Sequence, residues 1–423
     1  MVFLPNNPVF RRLYAAQVSS LLGSGLLTVA LALLAARLAD DNAGAVLGTA
    51  LTIKMVAYVA MAPVMRAACE RLPRTTVLVG ADIVRLLMVA LLPLVTDVWQ
   101  IYVLVFALQT ASATFTPVFT ATIPAVLDDR DDYTGAVAAS RIAYDLEALA
   151  SPALAAALLF VVAPPGLFLI AATGFAASAL LVGSVRGPLR GTAPPAAPDT
   201  PAPFHRRATS GLRIMLSQST FRGLIAINLC CAAATAPVMV YSVVYVHTEL
   251  GMGATALAAL LAACGIGSLC TALALPIVSR RLSPRATALA GALAACGSLV
   301  LTTVTHLTGL GYPGLSVAWF VAGVGTSLMN TSAPRLIADH TDTRTADDVF
   351  TAQFSASHAA FLLTYPIAGA TATLGAGGPA VLFAVAVVGL TAAALTWHAP
   401  AGRAPAPSAH RRAPAPARVN TPI

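Results

Sequence analysis

RAACERLPRTTVLVGADIVR, residues 66–85, is a short basic hinge between two long apolar runs, each roomy enough for a membrane span. A second copy stands in the other half of the chain as Arg280-Arg281-Leu282-Ser283-Pro284-Arg285, again between apolar runs. The offset between the two, roughly 210 residues, is a long internal period of the kind that decides a fold. Other segments return in the same order. Phe10-Arg11-Arg12-Leu13 is echoed by Phe221-Arg222-Gly223-Leu224, and Pro124–Asp128 loosely by Pro334–Asp339. Asp131-Asp132 followed by Ser140-Arg141 is echoed by Asp347-Asp348 followed by Ser357-His358. The chain reads as a duplication whose copies run in the same direction.

The composition agrees. Hydrophobic residues make up 58%, charged residues 10%, and the mean hydropathy is +0.80; soluble domains carry about 25% charged residues. The apolar runs reach ~20 residues or more, enough to cross a ~30 Å hydrocarbon core as helices. Helices satisfy every backbone polar group there internally. An all-α membrane protein of twelve spans follows, in two parallel repeats of six. The spans are predicted at about 13–38, 44–67, 75–96, 98–122, 135–162 and 166–186, then 221–247, 253–278, 286–306, 313–333, 348–373 and 378–398. The domains expected are 1–186, a first six-helix bundle; 187–220, a Pro/Ala-rich linker; 221–398, a second bundle; and 399–423, a disordered tail. Within the linker, Gly211–Gln218 has the pattern of a short amphipathic helix.

Orientation follows from the arginines. With the N-terminus inside, 21 of the 25 basic residues are cytoplasmic, three lie within spans (Lys54, Arg85, Arg141), and Arg37 alone is outside. Both termini are therefore expected in the cytoplasm. The net charge of +8 sits in short inter-span loops, so nucleic acid is not an expected partner. The six cysteines lie in or beside apolar runs and suit packing rather than a disulfide framework.

An ionisable group inside the hydrocarbon is a functional candidate, since it costs ~2.5–3.5 kcal/mol at mid-helix even on the lower scale. Lys54, the only lysine, lies about ten residues into the second span, ~15 Å deep. Asp145 and Glu147 reach similar depth in the fifth span but point ~200° apart. Arg141 and Asp145, and Asp82 and Arg85, have the spacing of in-helix pairs. The functional reading has Lys54 facing Asp145 or Glu147, with one carboxylate poised to exchange a proton. Desolvation raises a carboxylate pKa and a nearby cation lowers it, so titration near neutral pH is attainable. The competing reading is that these pairs only fix helix packing. His358 stands where the first copy has Arg141, as a proton relay, metal ligand or packing residue. It has no second histidine at helical spacing, so no metal site is assigned.

Twelve spans, a parallel repeat, a long central linker and the basic hinge together resemble the major facilitator superfamily over essentially the whole chain. The family hinge reads Gly-x-x-x-Asp-Arg-x-Gly-Arg-Arg; here Glu70, Arg71 and Arg74 match, while Arg66 and Pro73 replace the glycines. Ser151-Pro152-Ala153-Leu154-Ala155-Ala156 partly matches the Gly-Pro-x-x-Gly-Gly of exporters. FRRLYAAQVSSLLGSGL (10–26), LTIKMVAYVAMAP (51–63) and SRIAYDLEALASP (140–152) look like the bacterial efflux permease branch of macrolide and siderophore exporters, most closely nickel-resistance permeases. The resemblance implies a secondary active exporter of the bacterial inner membrane, working by alternating access and proton antiport. It implies cavity-lining roles for Gln109, Asn228 and Asn330, to which Tyr58 and Tyr144 are added as aromatic candidates. It gives Glu70, Arg71, Arg74, Arg281 and Arg285 a gating role at the cytoplasmic end, beside their plain topological one. The expected partners are a small-molecule or cation substrate, protons and the lipid bilayer. No cofactor is expected, and the expected unit is a monomer. No Gly-x-x-x-x-Gly-Lys-Ser/Thr is present for ATP. Export of a divalent metal, nickel or cobalt, is an alternative. An enzyme alternative rests on Asp128-Asp129-Arg130-Asp131-Asp132, which fits the Asp-Asp-x-x-Asp of intramembrane prenyltransferases.

Overall fold

The computed structural model describes residues 5–39, 43–127, 129–189, 203–342, 344–371 and 374–398. The expected tail and residues 190–202 of the expected linker lie outside them. The described residues contain no strand, and twelve long helical segments run through them. In the first half these are α1 (Pro8–Ala39), α2 (Ala43–Val56) continuing through a π-helical turn (Ala57–Met61) into α3 (Ala62–Cys69), α4 (Arg74–Leu91), α5 (Val98–Val126), α6 (Arg130–Leu158) and α7 (Pro164–Ser184). Short helices α8 (Arg186–Leu189), α9 (Phe204–Ala208) and α10 (Ser210–Ser217) lie between the halves, α10 where the linker pattern predicts a helix. The second half has α11 (Ser219–Val243) with a π-helical extension (Val244–Glu249), α12 (Ala254–Arg281), α13 (Pro284–Thr308), α14 (Gly311–His340), α15 (Ala346–Thr371) and α16 (Gly377–His398).

Local chemistry sets the helix ends. Asp97 and Gln100 form a reciprocal capping box at the start of α5. Ser283 accepts from the Ala286 N–H and Pro284 opens α13, which ends at Gly309 with φ of 68°. Among the described residues, nine segments are long and apolar enough to cross a membrane on length and composition alone. The remaining three, α6, α14 and α15, are as long but more polar. They carry Arg141, Asp145, Glu147, Asn330 and His358. A span lined with protein on several sides tolerates such residues, whereas a lipid-facing one does not.

In the first half α1 packs on α6 and α7, and α4 on α5 and α7; in the second, α13 packs on α14 and α16, and α11 on α15 and α16. The largest core surrounds Trp319, Tyr241 and Tyr245 in the second half. Close backbone approach needs glycine at α12 and α14. A Cβ at Gly323 would lie 1.9 Å from the Cys264 carbonyl oxygen, and one at Gly267 would lie 2.1 Å from that of Phe320. Such small-residue contacts are how helices associate where no hydrophobic force separates protein from lipid. Gly323→Val is expected to cost at least about 1–3 kcal/mol, the penalty of overpacking. A lower melting temperature of the purified protein would show it, and an unchanged one would mean the two helices can part without loss.

The halves meet through α6 on α12 and α14, and through α15 on α3, α5 and the first π turn. Leu275 of α12 is buried in a first-half core with Phe10, Leu13 and Leu78. Ala121 of α5 is buried in a second-half core with Phe221, Leu336 and Phe350. Arg66–Arg74, Arg130, Arg207 and Arg281–Arg285 gather at one end of the molecule, its basic end.

Candidate functional site

Lys54 lies one turn before the π turn, its Nζ 5.6 Å from the Tyr58 ring centroid. The Tyr58 ring meets two rings of α15, Phe354 at 5.0 Å and His358 edge-on at 4.7 Å. Ser355 Oγ donates to the Tyr58 carbonyl at 3.4 Å, so the π turn touches the second half through its backbone too. His358 Nδ1 is 2.7 Å from the Phe354 carbonyl, which can only accept; the Nδ1 therefore carries the proton and Nε2 is left for another partner. Phe361 and Tyr365 continue the aromatic row along α15, their rings stacked at 5.4 Å.

Asp145 and Arg141 pair as their spacing predicts, Arg141 Nη2 to Asp145 Oδ1 at 2.9 Å. Ser268 of α12 closes the pair across the interface between halves. It donates to Asp145 Oδ2 at 2.7 Å and accepts from Arg141 Nε at 2.9 Å. Glu147 differs. Its half-buried carboxylate makes no hydrogen bond or ion pair among the described residues, and neither does Lys54, so the expected Lys54–carboxylate contact is not made. Lys54 remains within electrostatic reach of Glu147 and His358. Glu147 is seated by Gly25 of α1, where a Cβ would lie 2.7 Å from Glu147 Oε1 and 1.9 Å from Ser151 Oγ. Ser151 Oγ is itself buried without a hydrogen-bond partner.

Asn228 exchanges two hydrogen bonds with Gln353, at 3.1 and 2.8 Å, joining α11 to α15. Asn330 accepts from the Cys231 thiol at 3.9 Å. Gln109 is half-buried and Tyr144 is exposed. Asp82 and Arg85 sit apart from this region, fully enclosed by the first half. Asp82 pairs with Arg85 and accepts from Ser178 of α7 at 2.7 Å, while Arg85 donates to Ser20 of α1 at 2.9 Å and lies over the Phe115 and Phe175 rings. That environment is one of packing.

The basic end is closed by charge. Arg74 grips Asp347 through Nη2 at 2.8 Å and Nε at 3.3 Å, with both side chains nearly buried. Arg66 reaches Asp348 at 2.9 Å. Glu70 accepts from Arg207 of α9 at 2.8 Å, and Ser210 of α10 donates to Asp348 at 2.6 Å, so the segment between the halves is tied to both. On the other side of the interface Arg130 pairs with Asp339 at 2.6 Å, and the Tyr133 hydroxyl donates to the Pro334 carbonyl at 3.0 Å. Arg71 and Arg281 are exposed and form no ion pair among the described residues, and Arg285 donates to Thr220 within its own half. Beyond Ser268, toward the opposite end, no hydrogen bond or ion pair joins the halves among the described residues.

Sequence reasoning missed Arg66, Asp347, Asp348, Arg207, Ser268 and Gln353 as site or gate residues. The repeated aspartate doublet and the arginine in place of a hinge glycine were the available signals. The acidic run does not assemble an enzyme site. Asp129, Asp131 and Asp132 are exposed, and Asp128 lies outside the described residues. In the second copy Asp339 is held by Arg130. Asp342 caps its loop, where the Thr345 hydroxyl and then the backbone N–H groups of Thr345 and Arg344 hold its carboxyl below the usual range. No cluster of three or more His, Cys, Asp or Glu suited to a metal ion occurs among the described residues.

The model of a family described as Major Facilitator Superfamily matches residues 13–315. No curated protein matches the sequence. Among solved structures, the chain is similar to the human organic anion transporter MFSD10 (TETRAN), with a TM-score of 0.73 at 16% identity over 92% of this chain and 98% of that one. It is also similar to a bacterial homologue of the iron transporter ferroportin in an outward-facing state, with a TM-score of 0.69 at 14% identity over 92% and 97%. At these identities the likeness is one of fold.

Proposed function

Because this chain belongs to the major facilitator superfamily, and is a membrane transporter rather than an enzyme, we propose that it exports a small organic molecule across the bacterial inner membrane in exchange for protons. With the arginine-rich end in the cytoplasm, this conformation is closed toward the cytoplasm. Transport then alternates between this state and one in which the ion pairs of Arg66, Arg74 and Arg130 have parted.

The observation that carries the proton half of the proposal is the Glu147 carboxylate. It is inside the membrane, partly accessible and without a hydrogen bond or ion pair among the described residues, whereas Asp145 and Asp82 are both consumed by arginines. A carboxylate with no fixed partner is free to take up and release a proton. Its protonation leaves Lys54 uncompensated nearby, which alters the field at the site. The row of Tyr58, Phe354, His358, Phe361 and Tyr365 favours an organic, ring-bearing substrate over a metal ion. His358 has aromatic neighbours, and it belongs to no cluster of three or more His, Cys, Asp or Glu among the described residues.

Expression in an efflux-deficient bacterium tests this, with growth and accumulation scored against nickel, cobalt, a macrolide and cationic dyes. Resistance to an organic compound that disappears when the proton gradient is collapsed is the expected result; resistance to nickel or cobalt alone overturns the organic reading. Glu147→Gln is expected to abolish the response of transport to an imposed pH gradient while changing substrate affinity by less than about threefold, under 1 kcal/mol. If Glu147→Gln remains gradient-driven, the proton is carried elsewhere.

A further inference from the structure

A cavity of about 250 Å³ lies near the basic end, lined in part by the Arg66–Asp348 gate pair. Val59 and Pro63 of the first half form one wall, and Ala356 and Ala359 of α15 the other. Arg66, Arg207 and the Asp348 carboxylate stand at its polar edge together with the first residues of α10, Asp348 being held already by Arg66 and Ser210. The walls run onto the lipid-facing surface. Ala359 is exposed, Leu362 and Leu363 one turn further are 41% and 54% exposed, and Leu212 across the mouth is 46% exposed. An apolar slot open to hydrocarbon at one end, with two carboxylate-paired arginines at the other and further arginines at its rim, has the chemistry of an acyl chain with a negatively charged head. Arg207 Nη1 serves the Glu70 carboxylate and the Ala67 carbonyl, which leaves Nη2 without a hydrogen bond among the described residues. Arg206 and Arg213 are exposed on the same short helices and add positive charge at the membrane surface.

We propose that this crevice holds one anionic phospholipid from the leaflet facing the basic end, its phosphate against Arg207 and Arg66 and one acyl chain between Pro63 and Ala356. The lipid touches the first half, the intervening helices and the second half at once. Separation of α3 from α15 would dismantle its site, so a bound lipid favours the closed basic end. This inference concerns binding and stands whether or not the protein exchanges protons.

The full chain in phosphatidylcholine nanodiscs, titrated with phosphatidylglycerol, provides the test. Lipid retained on the protein is counted by native mass spectrometry after release, and the melting temperature is followed in parallel. One phosphatidylglycerol retained with a roughly tenfold preference over phosphatidylcholine is expected, together with a rise in melting temperature. Arg207→Gln should remove the preference, and Ala359→Trp, which fills the slot without touching a charge, should remove the retained lipid. Arg206→Gln, on the same helix but outside the slot, should keep both. Equal retention of the two lipids overturns the proposal. So does an equal loss in Arg206→Gln and Arg207→Gln, which would mean diffuse attraction to a basic surface. Should Arg207→Gln fail to fold, Ala359→Trp decides: retention of phosphatidylglycerol with the slot filled refutes the site.

Discussion

Asp347→Asn is expected to open the basic end. Arg74 and Asp347 are 6% and 4% exposed and make two hydrogen bonds to one another across the interface between halves. Removing one partner of a buried ion pair costs about 3–5 kcal/mol, because the surviving charge stays buried and unpaired. That penalty falls on the closed form alone, since an open basic end returns Arg74 to water. At 1.4 kcal/mol per factor of ten, the ratio of closed to open should fall by about 10² to 4 × 10³-fold. Cys69 supplies a native reporter, being half-buried and lining the small cavity formed by Arg66, Arg74 and Asp347. Its alkylation by a maleimide, resolved from the other cysteines by peptide mass spectrometry, should accelerate sharply in the variant. Replacing both partners, as Arg74→Met with Asp347→Leu, should recover most of the protection, because no charge is then stranded. An alkylation rate that does not change would show that other contacts keep this end shut.

The second large effect is on stability rather than on conformational balance. Asp82→Ala strands Arg85, which is 3% exposed and has no other carboxylate in contact. The aromatic faces of Phe115 and Phe175 and the Ser20 hydroxyl soften that loss without cancelling the charge. A cost of about 3–5 kcal/mol is expected, read as a drop in melting temperature of the purified protein. The double variant Asp82→Leu, Arg85→Met should melt close to the wild type, since the pair is exchanged for packing of similar volume. A single variant of normal stability but without transport would instead return Asp82 to the list of proton carriers.

Helix number and duplication were legible because they follow from one-dimensional quantities: run length, hydropathy and the recurrence of arginine-bearing loops. The two in-helix pairs, Arg141–Asp145 and Asp82–Arg85, were legible for the same reason, since spacing along a helix fixes which side chains meet. Contacts between helices were not. Arg74 and Asp347 lie 273 residues apart, and nothing in either local pattern states which loop faces which. Lys54 and Glu147 were placed at similar depth, but depth along a helix says nothing of azimuth, and the two do not form an ion pair. The polar character of α6, α14 and α15 was present in the composition, yet only packing shows which polar groups find a partner: Arg141 and Asp145 meet Ser268 of α12, while Asn330 stays exposed. Ser268 was invisible for a different reason. A lone serine on an apolar helix carries no pattern at all, and its role appears only when Asp145 and Arg141 are seen on either side of its hydroxyl.

The π turn at Ala57–Met61 has a bearing on how substitutions in the second span should propagate. It takes up one more residue than an α-turn, so the helix before it is phased about 100° differently from an unbroken continuation of the helix after it. Lys54 on the near side and Arg66 on the far side are thus set in separate registers, one addressing mid-membrane and the other the ion pairs of the basic end. Deleting a single residue within 57–61 would merge the two registers and swing Lys54 away from its present bearing while leaving Arg66 in place. The second span therefore behaves as two independently adjustable rods joined end to end, in which the bearing of one is inherited from the joint and not from the other.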